Sequence, residues 1–136
     1  MPGDTLAAAR VKWDRRILEF AGAGHPPAMI LQPGARPRLL ESQSRPLGLM
    51  GEAISREATI EVPLQAGDRL VFYADGFSES FSAQQETLGI QWLSEIVREA
   101  SLCPLAEMKH NILDRVVAWQ SVPPADDLSL VVVRIL

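Results

Sequence analysis

The alternation of apolar and polar residues changes texture partway along the chain. Up to about residue 74, short apolar runs are punctuated by Pro and Gly, the signature of strands and turns. Residues 5–13 (TLAAARVKW) and 17–21 (ILEFA) flank Asp14-Arg15-Arg16 and predict a hairpin. Pro26 and Pro27 break the chain, and residues 28–32 (AMILQ) and 38–41 (RLLE) then flank Pro33-Gly34 as a second hairpin. Residues 42–51 read as a loop rich in Ser, Pro and Gly. Residues 58–64 (ATIEVPL) and 69–74 (RLVFYA) flank Ala66-Gly67-Asp68 and predict a third hairpin.

After Gly89 the period lengthens to that of a helix. Trp92, Leu93, Ile96, Val97 and Ala100 fall on one helical face. A second helix opens with Pro104 at its first turn, where a missing N–H costs nothing. Leu105, Met108, Ile112, Val116 and Trp119 step along it by three and four, and Pro123-Pro124 ends it. Residues 128–136 (LSLVVVRIL) are apolar at nearly every position, which predicts a strand inside a sheet covered on both faces. Strands, then two helices, then a strand indicate an α+β layered fold with the helices packed together outside a sheet.

Composition narrows the class without changing that picture. The chain has 136 residues, 47% hydrophobic and 22% charged, which suits one globular domain with its own core. A net charge of −4 gives no electrostatic footprint for nucleic acid. No run approaches the ~18 to 20 apolar residues that span a bilayer, and Met1-Pro2-Gly3-Asp4 does not begin a signal peptide. Cys103 has no second cysteine to pair with, which points to a reducing, cytoplasmic compartment.

Two acidic positions stand out by their placement. Asp75-Gly76 follows the run RLVFYA; Asp-Gly is a common turn dipeptide, yet the following FSESFS does not alternate like a return strand. Asp126-Asp127 lies just before the apolar terminal run, where taken alone it reads as a solvated loop. Both pairs put carboxylates at strand ends. Clustered carboxylates are costly unless a cation neutralises them, and hard divalent ions prefer oxygen ligands, so a bound metal would be Mg²⁺ or Mn²⁺. One Cys and two His give no zinc cluster. Gly24, His25 and Pro26, in the run AGAGHPP, read as loop architecture with the His ring anchoring the turn, and His110 reads as a surface residue of the second helix. No Gly-x-Ser-x-Gly elbow and no Gly-x-x-x-x-Gly-Lys loop occurs.

The order of Ala23-Gly24-His25-Pro26-Pro27, Pro46-Leu47-Gly48-Leu49, the run from Gly67 to Gly76 (GDRLVFYADG), and Ala125-Asp126-Asp127 before a Val-rich strand resembles the SpoIIE-type bacterial phosphatases. These are metal-dependent type 2C (PPM) serine/threonine phosphatases. The resemblance runs over nearly the whole chain as a single domain, 1–136, and implies two antiparallel sheets packed as a sandwich flanked by helices on both outer faces. It implies two Mn²⁺ or Mg²⁺ ions and metal-activated water attack on a phosphoserine or phosphothreonine. By motif match Asp75 and Asp126 would be metal ligands. Asp127 would support them from beside the site, and Gly76 would allow close backbone approach. The substrate implied is a phosphorylated signalling protein such as an anti-sigma-factor antagonist, with an upstream sensor or receiver domain; a homodimer is also compatible.

The match is partial. The family's earlier Asp-x-Ser-Gly-His-Gly motif, whose Asp bridges both metals, does not occur, so the chain resembles the C-terminal two-thirds of the domain. Two readings follow: the catalytic-domain part of a phosphatase, or a degenerate relative that serves as a binding module, an adaptor in sigma-factor regulation.

Overall fold

The computed structural model describes residues 6–41, 59–74, 89–119 and 129–136. Seven strands and two helices follow in the order β1 (Leu6–Lys12), β2 (Ile17–Ala23), β3 (Ala28–Leu31), β4 (Arg38–Leu40), β5 (Thr59–Pro63), β6 (Arg69–Tyr73), α1 (Gly89–Ala100), α2 (Leu105–Trp119) and β7 (Leu130–Arg134). They form a three-stranded antiparallel sheet, β1-β2-β5, and a four-stranded antiparallel sheet, β4-β3-β6-β7.

Strand alternation divides the core into two layers. On β3 and β6, Ala28, Ile30 and Leu70 face the other sheet and join Leu18, Phe20, Leu40, Val62, Leu64 and Ile135. The intervening Met29, Leu31, Val71 and Tyr73 face the helices and join Leu93, Ile96, Val97, Ala100, Met108, Ile112 and Val116. A sheet buried on both faces needs apolar residues at every position, and β3 is buried throughout. The fold is thus the expected sheet sandwich with a helix layer.

Two expectations are corrected. The first two predicted hairpins form, but β5 and β6 do not pair with each other. β5 lies beside β2 in one sheet and β6 beside β3 in the other, so residues 64–68 carry the chain between sheets. The Leu64 amide donates to the Arg16 carbonyl (2.8 Å) and the Gly67 amide to the Ile135 carbonyl (2.8 Å), tying the crossover to both layers. Second, β7 is not covered on both faces. Among the described residues it is the edge strand of its sheet, with Leu130 and Val132 packed under the helices but Val131 and Val133 55% and 38% exposed on the opposite face. Both described helices cover the four-stranded sheet.

Polar contacts fasten the helix corner to the strand turns. The Gly34 amide donates to Ser101 Oγ (2.8 Å), and Arg69, buried at the start of β6, donates from Nη1 to the Cys103 carbonyl (2.7 Å). Asp68 closes the crossover, accepting from the Gln65 amide (2.7 Å) and from Gln32 Nε2.

Candidate functional site

Register decides which loops meet. Ala28 pairs with Leu40, Met29 with Val71, and Tyr73 with Leu130. The start of β3, the ends of β4 and β6 and the start of β7 therefore lie at one end of the four-stranded sheet. Pairing of Leu6 with Ala23 and of Ala21 with Thr59 puts the start of β1, the end of β2 and the start of β5 at one end of the other sheet. Residues 24–27 join the two directly, so these ends coincide.

The opposite end holds only short connections: the turns after Lys12 and Leu31 and the crossover after Pro63. The α1–α2 corner is fastened there too, through Gly34 and Arg69. The first turn of α1 and the last turn of α2 consequently point to the other end, where Trp92 and Trp119 meet with ring centroids 6.2 Å apart.

Every segment singled out from the sequence adjoins, along the chain, a strand end at that end of the sandwich. Gly24 (φ 63°), His25 and Pro26 link β2 to β3; the positive φ is the conformation that glycine adopts without strain. His25 and Pro26 are half-buried. Asp75, Gly76, Asp126 and Asp127, together with residues 46–49, lie outside the described residues. What is described are their anchors: the Ala74 amide donates to the Ser129 carbonyl (3.0 Å), joining the residue before Asp75 to one two positions after Asp127. Among the described residues no three His, Cys, Asp or Glu side chains gather as a metal site.

Among the described residues, the perturbed charges lie elsewhere. Glu19 is held below its ordinary value, chiefly by a hydrogen bond from Lys12 and then by Arg10, on the outward face of the three-stranded sheet. Arg115 lowers Glu99 across the helix pair, and Glu95 raises Arg98 along α1. These are exposed pairs of small energetic weight.

Sequence reading missed the anchoring roles of Arg69, Ser101 and Asp68. The signal available was a charged Asp-Arg pair opening an otherwise apolar strand, a position where burial requires a partner. Trp92, placed on the core face by periodicity, is 53% exposed at the rim of the helix pair.

Comparison with known proteins agrees with this architecture. The profile of the family described as Stage II sporulation protein E (SpoIIE) matches residues 3–136. No curated protein sequence matches. Among solved structures, the SiaA-PP2C domain of Pseudomonas aeruginosa is similar with a TM-score of 0.81 and 23% identity, over 96% of this chain and 51% of that one. The RsbU and RsbW domains of Rv1364c from Mycobacterium tuberculosis give 0.77 and 22%, over 94% and 35%. The PP2C phosphatase domain of SpoIIE from Bacillus subtilis, with a fragment of its regulatory domain, gives 0.78 and 21%, over 96% and 37%. The chain spans about half the length or less of these structures. With its profile match along nearly the whole chain and its sandwich of two antiparallel sheets under a helix pair, the chain belongs to the SpoIIE family of type 2C phosphatase domains.

Proposed function

We propose that this chain is the part of a metal-dependent protein serine/threonine phosphatase domain that contributes Asp75 and Asp126 to a divalent-metal centre at the end of the sandwich where β6 ends and β7 begins. The observation supporting it is the β6–β7 register, whose last hydrogen bond joins Ala74 to Ser129 next to both acidic segments. Carboxylate oxygens suit Mg²⁺ or Mn²⁺ in kind. Such an ion would supply water activation and charge neutralisation at phosphorus. Asp127 and Gly76 would support the ligands, and Gly24, His25 and Pro26 would shape the neighbouring loop.

In number the donors fall short. Two carboxylates do not make a bridged two-ion centre, and the Asp-x-Ser-Gly-His-Gly motif that carries the family's bridging ligand is absent from this sequence. This chain by itself is therefore expected to turn over little or no substrate. The substrate class is a phosphorylated regulatory protein of the anti-sigma-factor-antagonist type, met in the cytoplasm and under control of a sensor or receiver domain.

The missing motif favours a second reading, a binding module that kept the fold and lost the chemistry. Mn²⁺-dependent hydrolysis of an aryl phosphate separates the two, comparing this chain with one extended by the residues encoded upstream in frame. An extended chain that is active, and silenced by Asp75→Asn or Asp126→Asn, supports the phosphatase. An upstream frame lacking the bridging Asp, with an inactive extended chain, supports the binding module.

A further inference from the structure

The two acidic segments join the described fold at four points, and these points are fastened in pairs. Residues 75–88 run from the end of β6 to the start of α1, and residues 120–128 from the end of α2 to the start of β7. Their sheet-side ends are tied by the hydrogen bond from the Ala74 amide to the Ser129 carbonyl (3.0 Å). Their helix-side ends are tied by a ring contact. Trp92, in the first turn of α1, meets Trp119, the last residue of α2, with centroids 6.2 Å apart and planes tilted by 46°.

Trp119 also packs, with Ile90 and Leu130, against the buried cluster beneath the helices. Its Nε1 is buried and has no hydrogen-bond partner among the described residues. A buried N–H without an acceptor costs free energy, so the fit of the ring holds Trp119 in place and not a polar contact.

Chain distances then single out Asp126. Asp75 directly follows Ala74, so the sheet bond already fixes its origin. Asp126 lies seven positions after Trp119 and three before Ser129. Between Trp119 and Asp126 stand Pro123 and Pro124, and each proline ring fixes one φ. A short connection held at both ends, with two soft dihedrals fewer, has little freedom left to lose when its carboxylate takes a ligand. Entropy already lost on folding is not lost again on binding, so such a clamp raises affinity without touching the ion.

We propose that Trp119, braced by Trp92, is a positioning residue for Asp126. It fixes the helix-side end of the connection that carries this carboxylate, as the bond between Ala74 and Ser129 fixes the sheet-side end. The proposal rests on the reading that Asp126 helps to hold a divalent ion, and adds which side chains prepare that aspartate for it.

The test is the Mn²⁺ affinity of the full chain by electron paramagnetic resonance, on variants shown to be folded by circular dichroism. Trp119→Ala is expected to weaken binding about tenfold, the low end of what loss of an outer support costs a metal ligand. Trp119→Phe keeps an aromatic ring and drops the unpartnered N–H, so it should recover most of the affinity. Met108→Ala empties a fully buried position near the opposite end of α2; it should lower stability and leave Mn²⁺ binding unchanged. Binding that Asp126→Asn weakens and Trp119→Ala leaves intact overturns the proposal alone. So does a loss in Met108→Ala or Trp119→Phe equal to that in Trp119→Ala. A wild type that binds no Mn²⁺, or binding that Asp126→Asn leaves intact, overturns the metal reading and this proposal together. Should Trp119→Ala fail to fold, Trp92→Ala decides, since that ring is 53% exposed and its loss removes only the brace. Weaker Mn²⁺ binding then supports the clamp, and unchanged binding overturns it.

Discussion

At Gly34 the backbone adopts φ 78°, and a β-carbon there would stand 2.9 Å from Leu102 Cδ2. The same residue's amide holds Ser101 Oγ, so one left-handed position fixes the β3–β4 turn against the helix corner. Gly34→Ala is expected to destabilise the fold by about 1–3 kcal/mol, from the strained conformation and the displaced leucine, as read from urea unfolding. Phe20, fully buried between the sheets, belongs to the same scale: Phe20→Ala should cost roughly 3–5 kcal/mol. Glu19 gives a pH signature. Its pKa lies below the ordinary 4.5 in the folded chain because Lys12 and Arg10 favour the carboxylate. Its contribution is present above that value and is lost as pH falls through the folded pKa, so Glu19→Gln should flatten the acid side of the stability profile. An unchanged acid limb in Glu19→Gln would contradict the assignment.

Among elements, those whose hydrophobic pattern reports a local period were legible. Both helices follow from three-and-four spacing, down to the burial of Leu93, Ile96, Val97, Met108, Ile112 and Val116. Partner choice was not legible for β5 and β6, because the alternation of ATIEVPL says which face is apolar and nothing about which strand lies beside it. A short connection with Gly67 suits a hairpin, and only the bonds from Leu64 to Arg16 and from Gly67 to Ile135 make it a crossover. β7 misled for a related reason: VVV reads as buried on both faces, whereas the three-stranded sheet does not reach across to cover Val131 and Val133. Arg69 links these elements, its guanidinium on the Cys103 carbonyl and beside Met108 Sδ (3.3 Å). Arg69→Ala removes packing and leaves the part-buried Cys103 carbonyl without its donor, for an expected loss of about 2–4 kcal/mol in denaturant unfolding. A loss below about 0.5 kcal/mol, the range of ordinary surface substitutions, would show that the corner is held by its apolar contacts alone.

Over the whole molecule, the division of labour is between two ends. One is closed by short connections and by the contacts of Gly34, Asp68 and Arg69; the other holds Gly24, His25 and Pro26 and the strand ends at Ala74 and Ser129. The motifs were legible in the sequence, and the common end of the strands beside them was not, because it depends on the register of strands far apart in the chain. Asp75 and Asp126 are separated by fifty-odd positions, and the pairing of Tyr73 with Leu130 sets side by side the strand ends nearest to them in sequence. No described helix is long and apolar enough to cross a membrane.

The most direct test of shared action by the two carboxylates is Mn²⁺ binding to the full chain, followed by electron paramagnetic resonance. Wild type, Asp75→Asn, Asp126→Asn and the double variant would be titrated side by side. Two ligands of one ion act as a unit, so each single substitution is expected to lose nearly as much affinity as the double. Losses that simply add, or binding that neither substitution disturbs, would contradict a metal centre shared by Asp75 and Asp126.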